Sequence, residues 1–321
     1  MKLRILWACA LGCAAPAMSI WAQAYPAKPL RMILPFPPGG PTDLLGRTLG
    51  AKMAESIGQA VVIDNRPGAG GNLGVELAAK SPPDGYTIVL SSPLIAISPS
   101  LYAKLNYDPA KDLAPISLAA AVQNVMIVHP SVPARTLKEF IAMARANPGK
   151  FNFGSGGSGT TSHLAPELLK SVTKINMVHV PFKGTGLGMI GLMSGQVDMI
   201  IIAAPIAAPQ VAAGKVRALA VLADKRTVAL PNVPTTKEAG VDDFVVPLWY
   251  GILTSTGTAR DSIAKLNGEI AKALAAKDVI EKFTAAGIDP MPSTPEHFSK
   301  FIRSETVRYA KVIKDAGIAQ Q

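Results

Sequence analysis

Residues Phe151–Leu164 read FNFGSGGSGTTSHL. A short alternating strand runs into a loop of four glycines and three hydroxyl residues, and a helix opens behind it. Glycine lets the backbone come close to a guest, and a helix start offers unpaired N–H groups at the positive end of a dipole. Together they form an uncharged seat for an anion. A second such seat lies upstream at Leu34–Asp43, LPFPPGGPTD, again between a strand and a helix. The two loops are expected to face each other across a cleft and to share one small carboxylate.

Outward from these loops the chain repeats strand, glycine turn and helix. Leu30–Leu34 is a short apolar strand, and Leu45, Leu49, Met53 and Ile57 mark one helical face, closed by Gly58. Val61–Ile63 and Tyr86–Leu90 are further strands around a helix carrying Val75, Leu77 and Ala78. This alternation argues for a parallel sheet covered on both faces. Residues 93–115 are rich in proline and read as irregular, and Ile116–Val128 reads as one apolar segment. A second α/β unit then follows. Its helices are expected over 137–146, 161–172, about 185–195 and 204–214, its strands over 175–180, 197–202 and 217–222. After aromatic Phe244, Trp249 and Tyr250 the chain ends in helices, one started by Thr294 and Pro295. Periodicity leaves open which unit those last helices join.

Composition narrows the function. At 321 residues, the chain has room for two domains, and 49% hydrophobic with 17% charged residues is a globular balance. Basic Lys2 and Arg4, an apolar run over 5–17 and Ala22-Gln23-Ala24 read as an export signal over residues 1–24, cleaved after Ala24. Cys9 and Cys13 both fall inside it, so the mature chain is expected to have no thiol nucleophile. The formal charge of +10 becomes +8 without Lys2 and Arg4, and its basic residues are scattered, which argues against nucleic acid.

Catalytic patterns are thin. Gly154–Gly159 matches G-x-G-x-x-G, but the following strand offers no carboxylate for a ribose, so no nucleotide cofactor is expected. Gly156–Thr160 misses the nucleophile elbow at its last position, and no histidine spacing suggests a metal. A carboxylate suits the loop better: Ser155, Ser158, Thr160 and Thr161 add hydroxyls to the backbone amides, those of Gly156 and Gly159 among them, and none brings a charge. Hydrogen bonds to a charged group contribute roughly 1.5–3 kcal/mol each. Three or four support a micromolar complex, about 8 kcal/mol, after ordering costs. In the upstream loop, Phe36, Pro38, Gly39 and Gly40 form the approach, and Asp43 either braces it or orients a ligand group. Lys183 is the best-placed cation. His163, one turn into the helix, either reaches the seat or packs beneath it. Asp198 is expected to brace, and His129, His179 and His297 to be structural or exposed.

Eight stretches carry a resemblance. YPAKPLRMILPFPPGGPTD, VVIDNRPGAGGNLG, SPPDGYTIVL, FNFGSGGSGTTSHL, VPFKGTG, GQVDM, AGKVRALAVLADKRTVALPNVPTTKEAG and WYGIL resemble, in this order, the substrate-binding receptors of tripartite tricarboxylate transporters, the Bordetella uptake gene (Bug) family. The resemblance implies a type II periplasmic binding fold with two α/β lobes joined by crossing strands. Residues 25–124 and 250–321 would form one lobe and 125–249 the other, the C-terminal helices returning to the first. It implies that loops matching Pro35–Asp43 and Gly154–Thr160 pinch a carboxylate through amides and ordered water. Segments matching Ser91-Ser92 and Phe182, Lys183, Gly184 and Thr185 complete the pocket. The implied protein is a non-enzymatic, monomeric periplasmic receptor that hands a small organic acid to membrane permease subunits. A receptor for a sensor kinase and a serine hydrolase built on Ser158 are the alternatives. One departure stands out: Met199–Pro205 reads MIIIAAP, with Ile202 and Ala203 where the family often has a polar pair. A less polar wall, suited to an aromatic or aliphatic acid, is expected there.

Overall fold

The computed structural model describes residues 25–242 and 244–320, so the expected export signal, with Cys9 and Cys13, lies outside the described residues. The first strand, β1 (Leu30–Leu34), is almost wholly buried. Helix α1 (Pro41–Ile57) starts with proline at its first position and stops at Gly58 in the left-handed region; Leu45, Leu49 and Met53 form its buried stripe. Strand β2 (Val61–Asn65), helix α2 (Asn72–Ala79) and strand β3 (Thr87–Ser91) follow.

The stretch expected to be irregular instead contains helix α3 (Leu94–Leu101) and the one-turn α4 (Pro109–Asp112). Pro93 only precedes α3 and Pro99 sits near its end. The helix is apolar nearly all round and buried in one cluster with Trp249, Leu253 and Ile313, so packing overrides the proline signal. The apolar run 116–128 is likewise two elements, β4 (Leu113–Val122) and β5 (Asn124–Val128), separated by Gln123 alone.

Helix α5 (Leu137–Ala146) opens on a capping box in which Thr136 accepts from the Glu139 N–H at 3.1 Å and Glu139 answers. Then come β6 (Asn152–Ser155), α6 (Thr161–Thr173), β7 (Val178–Pro181), α7 (Thr185–Met193), β8 (Met199–Ala203), α8 (Ala204–Ala212) and β9 (Arg217–Val221). The chain finishes with β10 (Leu248–Ser255), α9 (Arg260–Ala275), α10 (Lys277–Ala285), β11 (Ile288–Pro290) and α11 (Pro295–Asp315), the last capped by Thr294.

The strands form two sheets, ordered β11-β4-β10-β3-β1-β2 and β7-β6-β8-β5-β9. Neither is purely parallel, as the βα alternation alone suggests. β10 runs antiparallel between β3 and β4, and β5 runs antiparallel between β8 and β9. In each sheet that strand is the one that has just arrived from the other: β5 follows β4, and β10 follows β9. The two sheets therefore share one plan, with the first strand (β1 or β6) in the middle of three parallel strands.

The crossings lie side by side. Asn124 Nδ2 donates to the Val246 carbonyl at 3.1 Å, Ala204 N to Gln123 at 2.9 Å and Leu222 N to Asn124 at 2.8 Å. The terminal helices join the first sheet: α9 packs on α1 and β4, and α11 on α3 and β4. Trp249 anchors α11 by donating its indole N–H to Glu305 at 2.9 Å, and Arg308 pairs with the same carboxylate at 2.7 Å. Replacing Glu305 by alanine strands the Trp249 N–H and should lower stability by about 1–3 kcal/mol in denaturant unfolding. Trp249→Phe, which leaves the Arg308 pair in place, should cost less.

Candidate functional site

The first-strand-to-helix turns of the two sheets, β1 to α1 and β6 to α6, stand at equivalent places, and open α/β sheets bind ligands beyond the carboxyl ends of their strands. Both turns line one cavity of about 400 Å³. Phe36–Thr42 and Gly156 with Thr160–Ser162 contribute from opposite sheets, joined by Ser92, by Lys183–Leu187 at the start of α7 and by Ala203 at the start of α8.

Four helices, α1, α6, α7 and α8, thus begin at this cavity, and none has a side-chain cap. Among the described residues the helices with a side-chain cap, α4, α5 and α11, all start away from it, while α2, α3, α9 and α10 are also uncapped. The first N–H groups of a helix have no intrahelical acceptor. Those of Thr42 in α1, Thr161 and Ser162 in α6, and Thr185 and Gly186 in α7 are therefore available around the cavity. Lys183, solvent-exposed, is the one charged side chain among the described lining residues. Dipoles supply the rest of the positive potential.

Of the residues read from the sequence, Phe36, Pro38, Gly39, Gly40 and Ser92 line the cavity from the first sheet. Gly156, Thr160, Lys183, Gly184, Thr185 and Ala203 line it from the second. The others stand behind the wall. Asp43 accepts from Gly39 N–H at 3.2 Å, from Asn65 at 3.2 Å and from Arg47 at 3.0 Å, so it braces the loop. Burial alone would raise its pKa, but Arg47, the Gly39 amide and Asn65 together hold it below the usual carboxylate range. Ser91 is fully buried. Phe182 lies under Gly154, Gly188 and Gly191, which leave room for its ring.

The hydroxyls of Ser155 and Thr160 in the glycine loop, and of Ser162 behind it, bond within the protein. Thr160 Oγ1 donates to the Gly157 carbonyl at 2.7 Å, and Ser162 Oγ accepts from Gly156 N–H at 2.9 Å. Ser155 Oγ accepts from Gly157 N–H at 3.1 Å and meets His179 Nε2 at 2.7 Å. That serine–histidine contact has the form of half a catalytic triad, but Ser155 is 0% exposed and no substrate could reach it. Ser158 offers its carbonyl oxygen to Tyr102 OH at 2.9 Å. His163 Nδ1 accepts from Gly159 N–H at 3.3 Å, and its ring stacks on His179 with centroids 4.2 Å apart. These side chains hold the loop in shape and leave the ligand to the backbone. Asp198 braces in the same way, accepting from Asn152 N–H at 2.7 Å.

Sequence reasoning missed lining residues that come from distant strands: Asn124 and Leu248 at the crossings, Tyr250 on β10, and Leu187 and Ile190 on α7. Tyr250 belongs to an aromatic cluster that the sequence flags without placing. Asn124 carries no signal of its own.

Comparison with known proteins fits this geometry. Residues 45–318 match the Tripartite tricarboxylate transporter family receptor. The chain belongs to that family. The receptor is 38% identical over 310 residues to protein BugT of Bordetella pertussis, covering 95% of this chain and 94% of BugT. Among solved structures, R. palustris Rpa4515 with adipate superposes at a TM-score of 0.89 and 34% identity, over 92% of this receptor and 100% of that chain. MatC (Rpa3494) from Rhodopseudomonas palustris with bound malate gives 0.86 and 32%, over 90% and 100%. The expected fold is borne out: the receptor has the two-sheet α/β architecture of periplasmic binding proteins such as BugD.

The histidine pair gives the receptor a definite acid response. Burial lowers the pKa of both His163 and His179 to about 4; the charge of Lys170 adds to it at both, and at His179 the neighbouring His163 does too, against Glu167. Between about pH 4 and 6.5 the unfolded chain thus binds more protons than the folded one, so stability rises with pH across that window. A thermal melt should fall as pH drops from 6.5 toward 4, and His163→Asn, which keeps an acceptor at the δ position, should flatten the slope.

Proposed function

We propose that the receptor closes over a small organic carboxylate, aliphatic or aromatic and with one or two acid groups, and delivers it unchanged to the membrane permease subunits of a tripartite transporter. The observation that carries this reading is the meeting of four uncapped helix starts from two sheets on one cavity with a single charged lining residue. Such a seat favours an anion without presenting fixed counter-charges that would demand one in the empty state. Ile202, Ala203, Leu248, Leu187 and Ile190 supply the less polar wall against which a hydrocarbon segment packs. Adipate in Rpa4515 and malate in MatC are acids of the proposed size.

On this reading residues 25–124 with 250–321 form one lobe and 125–249 the other, and the paired crossings at Asn124 and Val246 are the hinge. The receptor works as a monomer in the periplasm after loss of residues 1–24, with no cofactor. Closure is the step that ligand biases, because contacts spanning the lobes exist only when they meet.

Two glycines make the reading testable. A Cβ on Gly156 would stand 2.9 Å from Thr185 Cγ2 and 3.0 Å from Thr185 N, at the start of α7. Gly156→Val should abolish carboxylate binding in calorimetry while leaving circular dichroism native; retained micromolar affinity overturns the seat. Gly70, at φ +64°, faces the other lobe, and a Cβ there would stand 2.1 Å from the Ser158 carbonyl oxygen. Gly70→Ala should fold, since the clash is relieved by opening, but its ligand-bound radius of gyration in X-ray scattering should stay that of the open form.

A further inference from the structure

The cavity has a second polar region that the helix starts do not explain. Thr42, Ser92, Asn124 and Tyr250 all line it and are 3%, 6%, 1% and 2% exposed. They come from α1, the end of β3, the crossing and β10. Ser92 follows the Ser91–Gly251 pair in the ladder and Tyr250 precedes it, so the two flank one point of the first sheet. Asn124 pairs with Ala203, which packs in one cluster with Leu248 and Tyr250. The Thr42 hydroxyl stands beside the Tyr250 phenol.

Their polar atoms are not spent inside the protein. Buried side-chain atoms sealed without a partner are confined, among the described residues, to Thr48, Ser91 and Ser98. Apart from the Thr42–Tyr250 approach, Thr42 Oγ1, Ser92 Oγ, Tyr250 OH and Asn124 Oδ1 have no protein partner and open on the cavity. Unpaired polar groups at this depth are satisfied by water in the empty cavity, and a guest that displaces that water must replace its hydrogen bonds.

The roles are fixed at one of the four. Asn124 Nδ2 is held by the Val246 carbonyl at 3.1 Å. The reverse amide orientation would set two oxygens face to face, so Oδ1 points to the guest and can only accept. Three hydroxyls beside one acceptor suit a guest oxygen that both donates and accepts. A second carboxylate would meet the Oδ1 lone pairs with no proton between them and no cation, because Lys183 sits at the exposed rim. An ammonium would find acceptors but no counter-charge.

Resting on the carboxylate reading above, we infer that Thr42, Ser92, Asn124 and Tyr250 form a neutral subsite for a hydroxyl group, so that the receptor selects hydroxycarboxylates over the same acids without the hydroxyl. Burial keeps the Tyr250 phenol protonated and hence a donor at neutral pH.

Calorimetry with acids matched except for one hydroxyl tests this: malate against succinate, 3-hydroxybutyrate against butyrate, and 4-hydroxybenzoate against benzoate. The hydroxylated member of at least one pair should bind 10-fold or more tightly. Tyr250→Phe and Thr42→Val, each close to isosteric, should bring that ratio near unity by weakening the hydroxy acid alone. Equal affinities within every pair overturn the subsite while leaving a carboxylate receptor standing, as does a variant that weakens both members equally. Absence of binding by all six acids overturns the carboxylate reading and the subsite with it.

Discussion

Unpaired N–H groups at three helix starts, those of α1, α6 and α7, are the constraint around which this molecule is arranged. A capping side chain at such a position typically contributes about 1 kcal/mol, and the protein uses one at Asp108, Thr136 and Thr294. At α1, α6, α7 and α8 it has Gly40, Thr160, Gly184 and Ala203 instead, none with a side-chain cap. The donors stay free only because a second layer of side chains holds the turns in shape. Asp43 ties Gly39, His163 ties Gly159, and Ser155 with His179 ties Gly157. All of these braces act as acceptors toward the loop. Loss of the neutral His163 acceptor would leave the Gly159 amide to find another partner, and the turn would change shape.

Bringing those turns together is the work of the strand exchange. Each sheet takes its antiparallel strand from the chain leaving the other, so the crossings at Gln123 and Val246 lie side by side and are bonded through Asn124. A pair of adjacent crossings resists twisting more than a single linker while still permitting a hinge. The same exchange carries Tyr250 and Leu248 from the end of the chain to the floor of the cavity, beside residues from its beginning.

How much of this was legible in the sequence depended on the range of the interaction. Local signals were accurate: the stripe of Leu45, Leu49 and Met53, the stop at Gly58, and the Thr294 cap with Pro295 behind it each appear where spacing puts them. Both glycine loops were found from their own composition. What periodicity missed was set by distant packing. Leu94–Leu101 is a helix because Trp249 and Ile313 bury it, and Ile116–Val128 splits because two sheets claim its halves. Mixed sheet direction likewise follows from strands distant in the chain, β10 against β3 and β5 against β8. The hydroxyls of Ser155 and Thr160, read as ligand donors, turn inward because the loop's own backbone needs partners: Ser155 accepts from the Gly157 amide and Thr160 donates to the Gly157 carbonyl.

That inward turn bears on selectivity. Had the loop hydroxyls faced the cavity, the anion seat itself could discriminate among acids by their substituents. Amides, one exposed lysine and the threonines Thr161 and Thr185 line the seat, a lining suited to an anion but not selective for what the anion carries. Discrimination then falls to the remainder of the cavity, where the apolar side chains of Ile202, Leu248, Leu187 and Ile190 meet the unpaired groups of Thr42, Ser92, Asn124 and Tyr250. Relatives sharing the two loops can thus differ in ligand through a handful of positions on α7, β8 and the crossings, without any change to the helix starts.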